Sequence, residues 1–445
     1  MEMNDLVIVS VDDHIVEPPT MWDQHLSAQY RAIKPVMKRR KNGTDYWQIE
    51  GGEVQLAGLN AVAGRVPEEY GMEPGGLDQV RRGVWDIDAR IGDMNANGII
   101  SSLNFPSLPG MDGAFFKELK NQTNALILLR AYNDWHIDEW CGKYPGRNIP
   151  LAMVPYWNMP AAVEEIRRVV AKGCHAITVS DCPTLKGCPS IHDPYWEPLW
   201  KACHENQVAI NLHIGTGSTA PHASMQTPID AWITTMPMAV DVSLADWLHL
   251  EALDRYPGLK LCFSEGGVGW IPYLLERAEF VFDHHHKWTH SSFGRHRRPT
   301  ERFREHFIAC FIEDKFGLKN YDAVGADNIC YECDYPHSDC TFPKAPEFLY
   351  ENVKNLPDAV IDKVCHENAF KTYSFDAFTL LGGRQNCTVG ALRAKAKAEK
   401  VDTSPQSYGG ARPLAVGETP RRVTSGDIVS MLESQFKANV EKETA

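Results

Sequence analysis

Leu6-Val7-Ile8-Val9-Ser10-Val11-Asp12-Asp13-His14 is a short β-branched run that ends abruptly in acid and imidazole. Such residues favour a pleated, buried strand. Strand side chains alternate between faces, so Asp12 and His14 share one side and Asp13 takes the other. An Asp-x-His pair at a strand's C-terminal end can offer a carboxylate oxygen and a ring nitrogen to one metal ion. Asp and His also end many strands as plain turn residues, so the pair gains meaning only from what later strands supply.

Later stretches repeat the pattern. Ile99–Pro106, Ile149–Pro155, Ala176–Asp181, Val208–His213, Leu259–Glu265, Phe307–Ile312 and Asn328–Asp334 read as strands. Helical spacing separates most of them, at Trp85–Asn97, Asn121–Lys143, Pro160–Lys172, Asp193–Asn206, between residues 229 and 255, and from about Gly269 to His286. Eight strands alternating with helices predict a parallel sheet closed into a (β/α)₈ barrel, with an open doubly wound sheet as the alternative. The barrel is preferred because polar residues end five different strands, where barrel enzymes place their chemistry. Residues 23–84 read as an insertion after the first strand, with a hairpin over Tyr46–Gln55. Residues 1–383 form the expected barrel domain and residues 384–445 an extension. That extension holds a basic helix at Ala391–Lys400, a Pro/Gly/Ser-rich stretch at Thr403–Pro420 and an amphipathic segment at Ser425–Val440. It reads either as an arm reaching a neighbouring subunit or as a partly disordered tail.

Composition narrows the partners. The 445 residues are 43% hydrophobic and carry a net charge of −13, which argues against nucleic acid or an anionic membrane surface. No run approaches the roughly 18 apolar residues of a membrane span. Twelve scattered cysteines behind an acidic N-terminus suit reduced thiols in a cytoplasm.

The strand ends collect Asp12, His14, Asp181, His213, Glu265 and Asp334, four carboxylates and two imidazoles. Val11-Asp12-Asp13-His14, His213-Ile214-Gly215-Thr216-Gly217, Asp334-Tyr335-Pro336-His337 and His366-Glu367-Asn368-Ala369 together resemble the amidohydrolase superfamily, in the branch that includes aminocarboxymuconate semialdehyde decarboxylase. The resemblance covers roughly residues 6–380. It implies a metal pair on strand 1 and further ligands on strands 5 and 8. Two positions depart from it. Decarboxylases of the branch usually carry a strand-6 histidine in His-Gly-Gly, where this chain has Ser264-Glu265-Gly266-Gly267. Two-metal hydrolases of the wider superfamily usually carry a carboxylated lysine on strand 4, where this chain has Asp181.

Six donors are more than a single Zn²⁺ needs, and extra carboxylates repel one another without more positive charge. Oxygen-rich sets favour Mn and Fe, as in the di-iron and di-manganese carboxylate proteins. The chain also resembles the small group of dinuclear hydroxylases that act on 2-aminoisobutyrate or in platensimycin-type biosynthesis. The expectation is therefore an O₂-dependent hydroxylase of a small molecule with a dinuclear Fe/Mn-type site. One alternative is a mononuclear Zn or Mn hydrolase or non-oxidative decarboxylase with Glu265 or Asp334 as base. Another is a non-catalytic partner subunit with a structural metal. A homo-oligomer, or a hetero-oligomer with a related subunit, is expected.

Other candidates carry less. His337, three residues past Asp334, either faces substrate or packs its loop. His284-His285-His286 ends a predicted helix between Asp283 and Lys287 and reads as a solvated helix end. Cys182 with Cys188, and Cys333 with Cys340, lack Cys-x-x-Cys spacing. Gly215-Thr216-Gly217 has no following Lys and is not a phosphate loop. Asn104 near the end of strand 2 serves either a substrate or a turn.

Overall fold

β1 (Val9–His14) is buried at every position, which a two-sided covering of the strand requires. The computed structural model describes residues 1–445 except 42, 56–60, 71–74, 218–220, 409–416, 418, 420 and 431–445. A small antiparallel sheet follows β1, made of β2 (Val36–Arg39), β3 (Asp45–Ile49) and β4 (Gly52–Gln55). The expected hairpin is its β3–β4 pair, and β2 adds a third strand. Ile49 faces Gly52 across the turn, and the two residues between them, Glu50 and Gly51, have φ of 49° and 81°. Two successive positive φ values give the turn whose twist matches the strands.

The remaining strands are β5 (Ser101–Phe105), β6 (Asn148–Ile149), β7 (Ala152–Met153), β8 (Ala176–Thr178), β9 (Ala209–His213), β10 (Lys260–Ser264), β11 (Phe307–Phe311) and β12 (Ile329–Tyr331). All their pairings are parallel, in the orders β1-β5-β6 and β7-β8-β9-β10-β11-β12. β6 and β7 are two halves of one barrel strand, parted at Pro150, which has no N–H for the ladder. Closure comes from the chain beyond β12. Asp334 N–H donates to the Asp12 carbonyl at 2.8 Å, His14 N–H to the Tyr335 carbonyl at 2.7 Å, and Cys333 N–H to Ser10 Oγ at 2.8 Å. The eight-stranded α/β barrel predicted from the alternation is thus the fold.

Val7, Val9 and Val11 lie in the barrel interior with Ala176, Ala209, Cys262, Cys310 and Cys330. Leu6 and Ile8 pack outward under the helices. Strict alternation would carry Asp13 inward and Asp12 out. The β1–β5 register slips between Ser10 and Asp13 instead, so the strand bulges there. Past the bulge, Ser10 Oγ and Asp13 Oδ1 meet at 3.0 Å on the outer side, and Asp12 and His14 point in. The expected pairing of Asp12 with His14 holds, and the bulge decides that the pair faces the interior.

All twelve cysteines are unpaired. Among the described residues no helix is long and apolar enough to cross a membrane. The described part of the extension packs on its own chain. Val389–Ala398 is helical, its Val389 and Leu392 are fully buried, and Val389 N–H bonds the Leu6 carbonyl at 2.8 Å. Gln406 N–H bonds the Gly64 carbonyl at 2.8 Å, and Thr424 bridges to Pro228. Residues 425–430 are helical, while 431–440 of the expected last helix lie outside the described residues. Because Leu392 is fully buried in the same apolar cluster as the inward valines of β1, Leu392→Ala should lower unfolding free energy by about 2–4 kcal/mol in urea titration. A loss below about 1 kcal/mol would show a helix only loosely joined to the barrel.

Candidate metal centre

Four strands deliver their last residues to one place at the barrel's C-terminal mouth. Asp12 and His14 come from β1 and His213 ends β9. Glu265 and Asp334 follow β10 and β12, and His337 lies three residues further on. His14 Nε2 lies 3.4 Å from Asp12 Oδ1, 3.4 Å from Glu265 Oε1 and 3.2 Å from Asp334 Oδ1. His213 Nε2 lies 3.4 Å from Asp12 Oδ2, 3.2 Å from Glu265 Oε1 and 3.3 Å from His14 Nε2. His337 Nδ1 sits 2.8 Å from Asp334 Oδ1 and 3.6 Å from Glu265 Oε1, with its ring 3.9 Å from that of His14. The donors form two overlapping groups that share His14 and Glu265. One adds Asp12 and His213, the other Asp334 and His337.

Glu265 and Asp334 reach the site through unusual backbone. Ser264 is in phase with the inward Cys262, so Glu265 should point outward by alternation. Its φ of 60° turns it in, and Asp334 has φ of 58°. A side-chain-bearing residue held in this region costs about 1–3 kcal/mol, and such residues gather at functional sites. Glu332 holds the first of them. Its buried carboxylate accepts the Glu265 N–H with both oxygens at 3.1 Å.

The protonation pattern is that of a crowded, dry pocket. Burial pushes the Asp12 carboxyl well up, partly offset by His213, and Glu265 and Glu332 add to the push. Burial also raises Glu332 well above the usual carboxylate range. Burial would raise Glu265 too, but His213, His14 and His337 bring it well below its ordinary value. His213 is lifted to about 10, because Glu265 and Asp12 outweigh its burial. His14 is lowered by burial and by the charge on His337. His213 Nδ1–H donates to the Ile214 carbonyl at 2.6 Å, which leaves Nε2 facing the cluster.

Asp12 Oδ1 and Oδ2, Glu265 Oε1 and Asp334 Oδ1 are all buried and make no well-directed hydrogen bond, although imidazole nitrogens lie close by. Such orphaned acceptors carry a desolvation penalty unless a cation meets them. Two donors each about 2.0–2.2 Å from one divalent ion lie about 3–3.5 Å apart, and most of the separations here fall in that range. The residues fit a divalent metal.

Asp181 is not drawn in. Ala176 is inward, so by alternation Asp181 shares the outward phase of Ile177 and Val179, which pack under the helices. Its carboxylate accepts Thr216 Oγ1–H at 2.9 Å, and its carbonyl accepts Trp247 Nε1–H at 2.8 Å. Gly217 seals this lock, since a Cβ there would lie 2.6 Å from Ser180 Oγ. Asn104 is also spoken for, accepting Trp140 Nε1–H at 2.6 Å. His284 and His286 cap backbone carbonyls of their own helix, Ile271–Thr289. Glu332, which sequence reasoning passed over, shares the inward phase of Cys330 and was legible from alternation alone.

Comparison with known proteins gives the family and the fold. The family model described as Amidohydrolase matches residues 22–375. The γ-resorcylate decarboxylase of a Rhizobium species is 25% identical over 344 residues, 73% of this chain and 99% of that protein. An amidohydrolase from Mycobacterium avium subsp. paratuberculosis superposes with a TM-score of 0.60 at 19% identity, over 82% of this chain and 99% of the other. A 5-carboxyvanillate decarboxylase from Novosphingobium aromaticivorans, complexed with manganese and 4-hydroxy-3-methoxy-5-nitrobenzoic acid, gives 0.57 at 16% identity, over 84% and 100%. With a parallel barrel, ligand-type residues at its C-terminal mouth and a family match over most of its length, this chain belongs to the amidohydrolase family.

Proposed function

We propose that the chain is a metal-dependent enzyme that removes CO₂ from a small acid without oxidation. The observation that carries the metal dependence is the set of orphaned buried oxygens on Asp12, Glu265 and Asp334, facing the imidazoles of His14, His213 and His337. The relatives support the reaction class, since those named above as decarboxylases act on small aromatic acids by name. A divalent ion bound by Asp12, His14 and His213 would supply positive charge to hold an anionic substrate and polarise its oxygens.

The chain's own residues do the rest. Loss of CO₂ breaks a carbon–carbon bond and forms a carbon–hydrogen bond, so one proton must reach the carbon. His337 is suited to deliver it. Burial would lower its pKa, but Asp334 and Glu265 lift it well above its ordinary value, and at 20% exposure it is the most open of the six side chains. Asp334 orients that ring through the 2.8 Å contact. Phe105, with its ring 4.8 Å from that of His213, helps to keep water from the pocket floor.

A second reading has its own support. The donors form two overlapping groups, and Glu265 adds a carboxylate that could bridge two ions. In that reading the centre is a dinuclear Fe/Mn site and the reaction an O₂-dependent hydroxylation of a small molecule, with an oligomeric partner of related fold.

Asp12→Ala and His213→Ala should lose the manganese or iron taken up at the mouth while keeping their circular dichroism, because barrel stability rests on the packed layers. Full retention of that metal in both variants rejects the ligand assignment.

Glu265→Gln separates the readings. A mononuclear decarboxylase should keep its single ion, lose turnover, and in wild-type form release CO₂ from hydroxylated aromatic acids under argon. A dinuclear hydroxylase should fall from about two ions to about one and lose O₂ uptake. Wild-type protein with neither CO₂ release nor O₂ uptake on such acids would contradict both.

A further inference from the structure

A second imidazole pair lies at the opposite end of the barrel. Glu305 and His306 close the helix Pro299–His306 just before β11, and His296 ends the short turn Gly294–His296. β11 has five residues, so this N-terminal face lies about 16 Å from the mouth.

The two pairs match closely. At the mouth, the rings of His14 and His213 are 5.1 Å apart and inclined at 83°, with their Nε2 atoms 3.3 Å apart. Here the rings of His296 and His306 are 5.0 Å apart and inclined at 71°, with Nε2 atoms 3.1 Å apart. Glu305 Oε2 lies 3.1 Å from His296 Nε2. All three residues offer ligand atoms to one point.

The other ring nitrogens are fixed as metal-bound imidazoles require. His306 Nδ1 sits 2.8 Å from the Leu259 carbonyl, which can only accept, so Nδ1 carries the hydrogen. His296 Nδ1 sits 2.9 Å from Asp254 Oδ1. Asp254 is held in turn by the buried Arg302 at 2.7 Å. A carboxylate or carbonyl behind each ligating ring is the usual support of a metal-binding histidine. Gly294 permits this contact, because it has φ of +50° and a Cβ there would lie 2.3 Å from Asp254 Oδ2.

One group competes for the place. The Arg295 guanidinium bonds Glu305 at 2.6 and 2.8 Å and lies 3.1 Å from His306 Nε2. Its side chain is 37% exposed, so it can swing into solvent.

We propose that His296, His306 and Glu305 form a second metal site, of the zinc type, on the N-terminal face of the barrel, with Arg295 occupying it when the ion is absent. Two imidazoles and one carboxylate leave a fourth, water-accessible position on a tetrahedral ion. Stability in barrels of this kind resides on this face, so the ion would brace the turn, the helix and the start of β11.

The test uses the full-length protein dialysed with zinc and then analysed for bound metal. Wild type should carry one more zinc per chain than either His296→Gln or Glu305→Gln. Arg295→Ala should retain that zinc against a higher chelator concentration than wild type. The Glu305 side chain is 35% exposed, so Glu305→Gln decides alone if His296→Gln fails to fold. Equal zinc content in wild type and Glu305→Gln overturns the site, and unchanged chelator resistance in Arg295→Ala overturns the competition.

Discussion

Three carboxylates and three imidazoles meet at the barrel mouth, largely buried from solvent. Asp12 is wholly buried and Asp334 and His14 nearly so, yet both oxygens of Asp12 and one each of Glu265 and Asp334 make no well-directed hydrogen bond. Negative charges this close cannot all persist without compensating positive charge. Protons on His213 and His337 supply part of it, which is why both rings are held above their ordinary range. A divalent cation would supply it more completely and displace the proton from its ligand His213. The barrel around the mouth is arranged to create this electrostatic demand in one fixed place.

Three departures from regular strand geometry focus the donors. The bulge in β1 reverses the alternation, so that the acid-and-imidazole pair follows the valines into the interior. Left-handed backbone at Glu265 turns a further acid inward, while Asp334, also left-handed, keeps the inward phase of Cys330 and Glu332. Glu332, two residues before Asp334, grips the Glu265 amide and steadies that turn. Barrel closure joins these features, because Asp334 bonds the backbone of Asp12 directly. A shift in any one of them would move more than one donor.

Much of this was legible in the chain. Strand–helix alternation implied the barrel, and five of the six polar strand ends chosen from sequence do converge. Asp181 failed because a terminal acid alone does not say which face it occupies, and the inward phase of Ala176 sends it outward. Glu332 could have been found by applying the same period of two to Cys330. Glu265 was chosen for the wrong geometric reason, since only a positive φ brings it in, and no residue type announces that turn. The bulge at Ser10–Asp13 was likewise invisible, because it depends on the register with β5. His296 and His306 escaped notice because neither ends a strand, and their meeting depends on how a turn and a helix pack.

The mouth donors are proposed to hold a divalent metal. Anomalous diffraction at the manganese edge, on crystals of the full-length protein grown with manganese, tests it directly. A metal held there gives a peak bonded to Asp12, His14 and His213 at about 2.0–2.3 Å. No peak at the mouth, with those side chains still pairing only with one another, would contradict it.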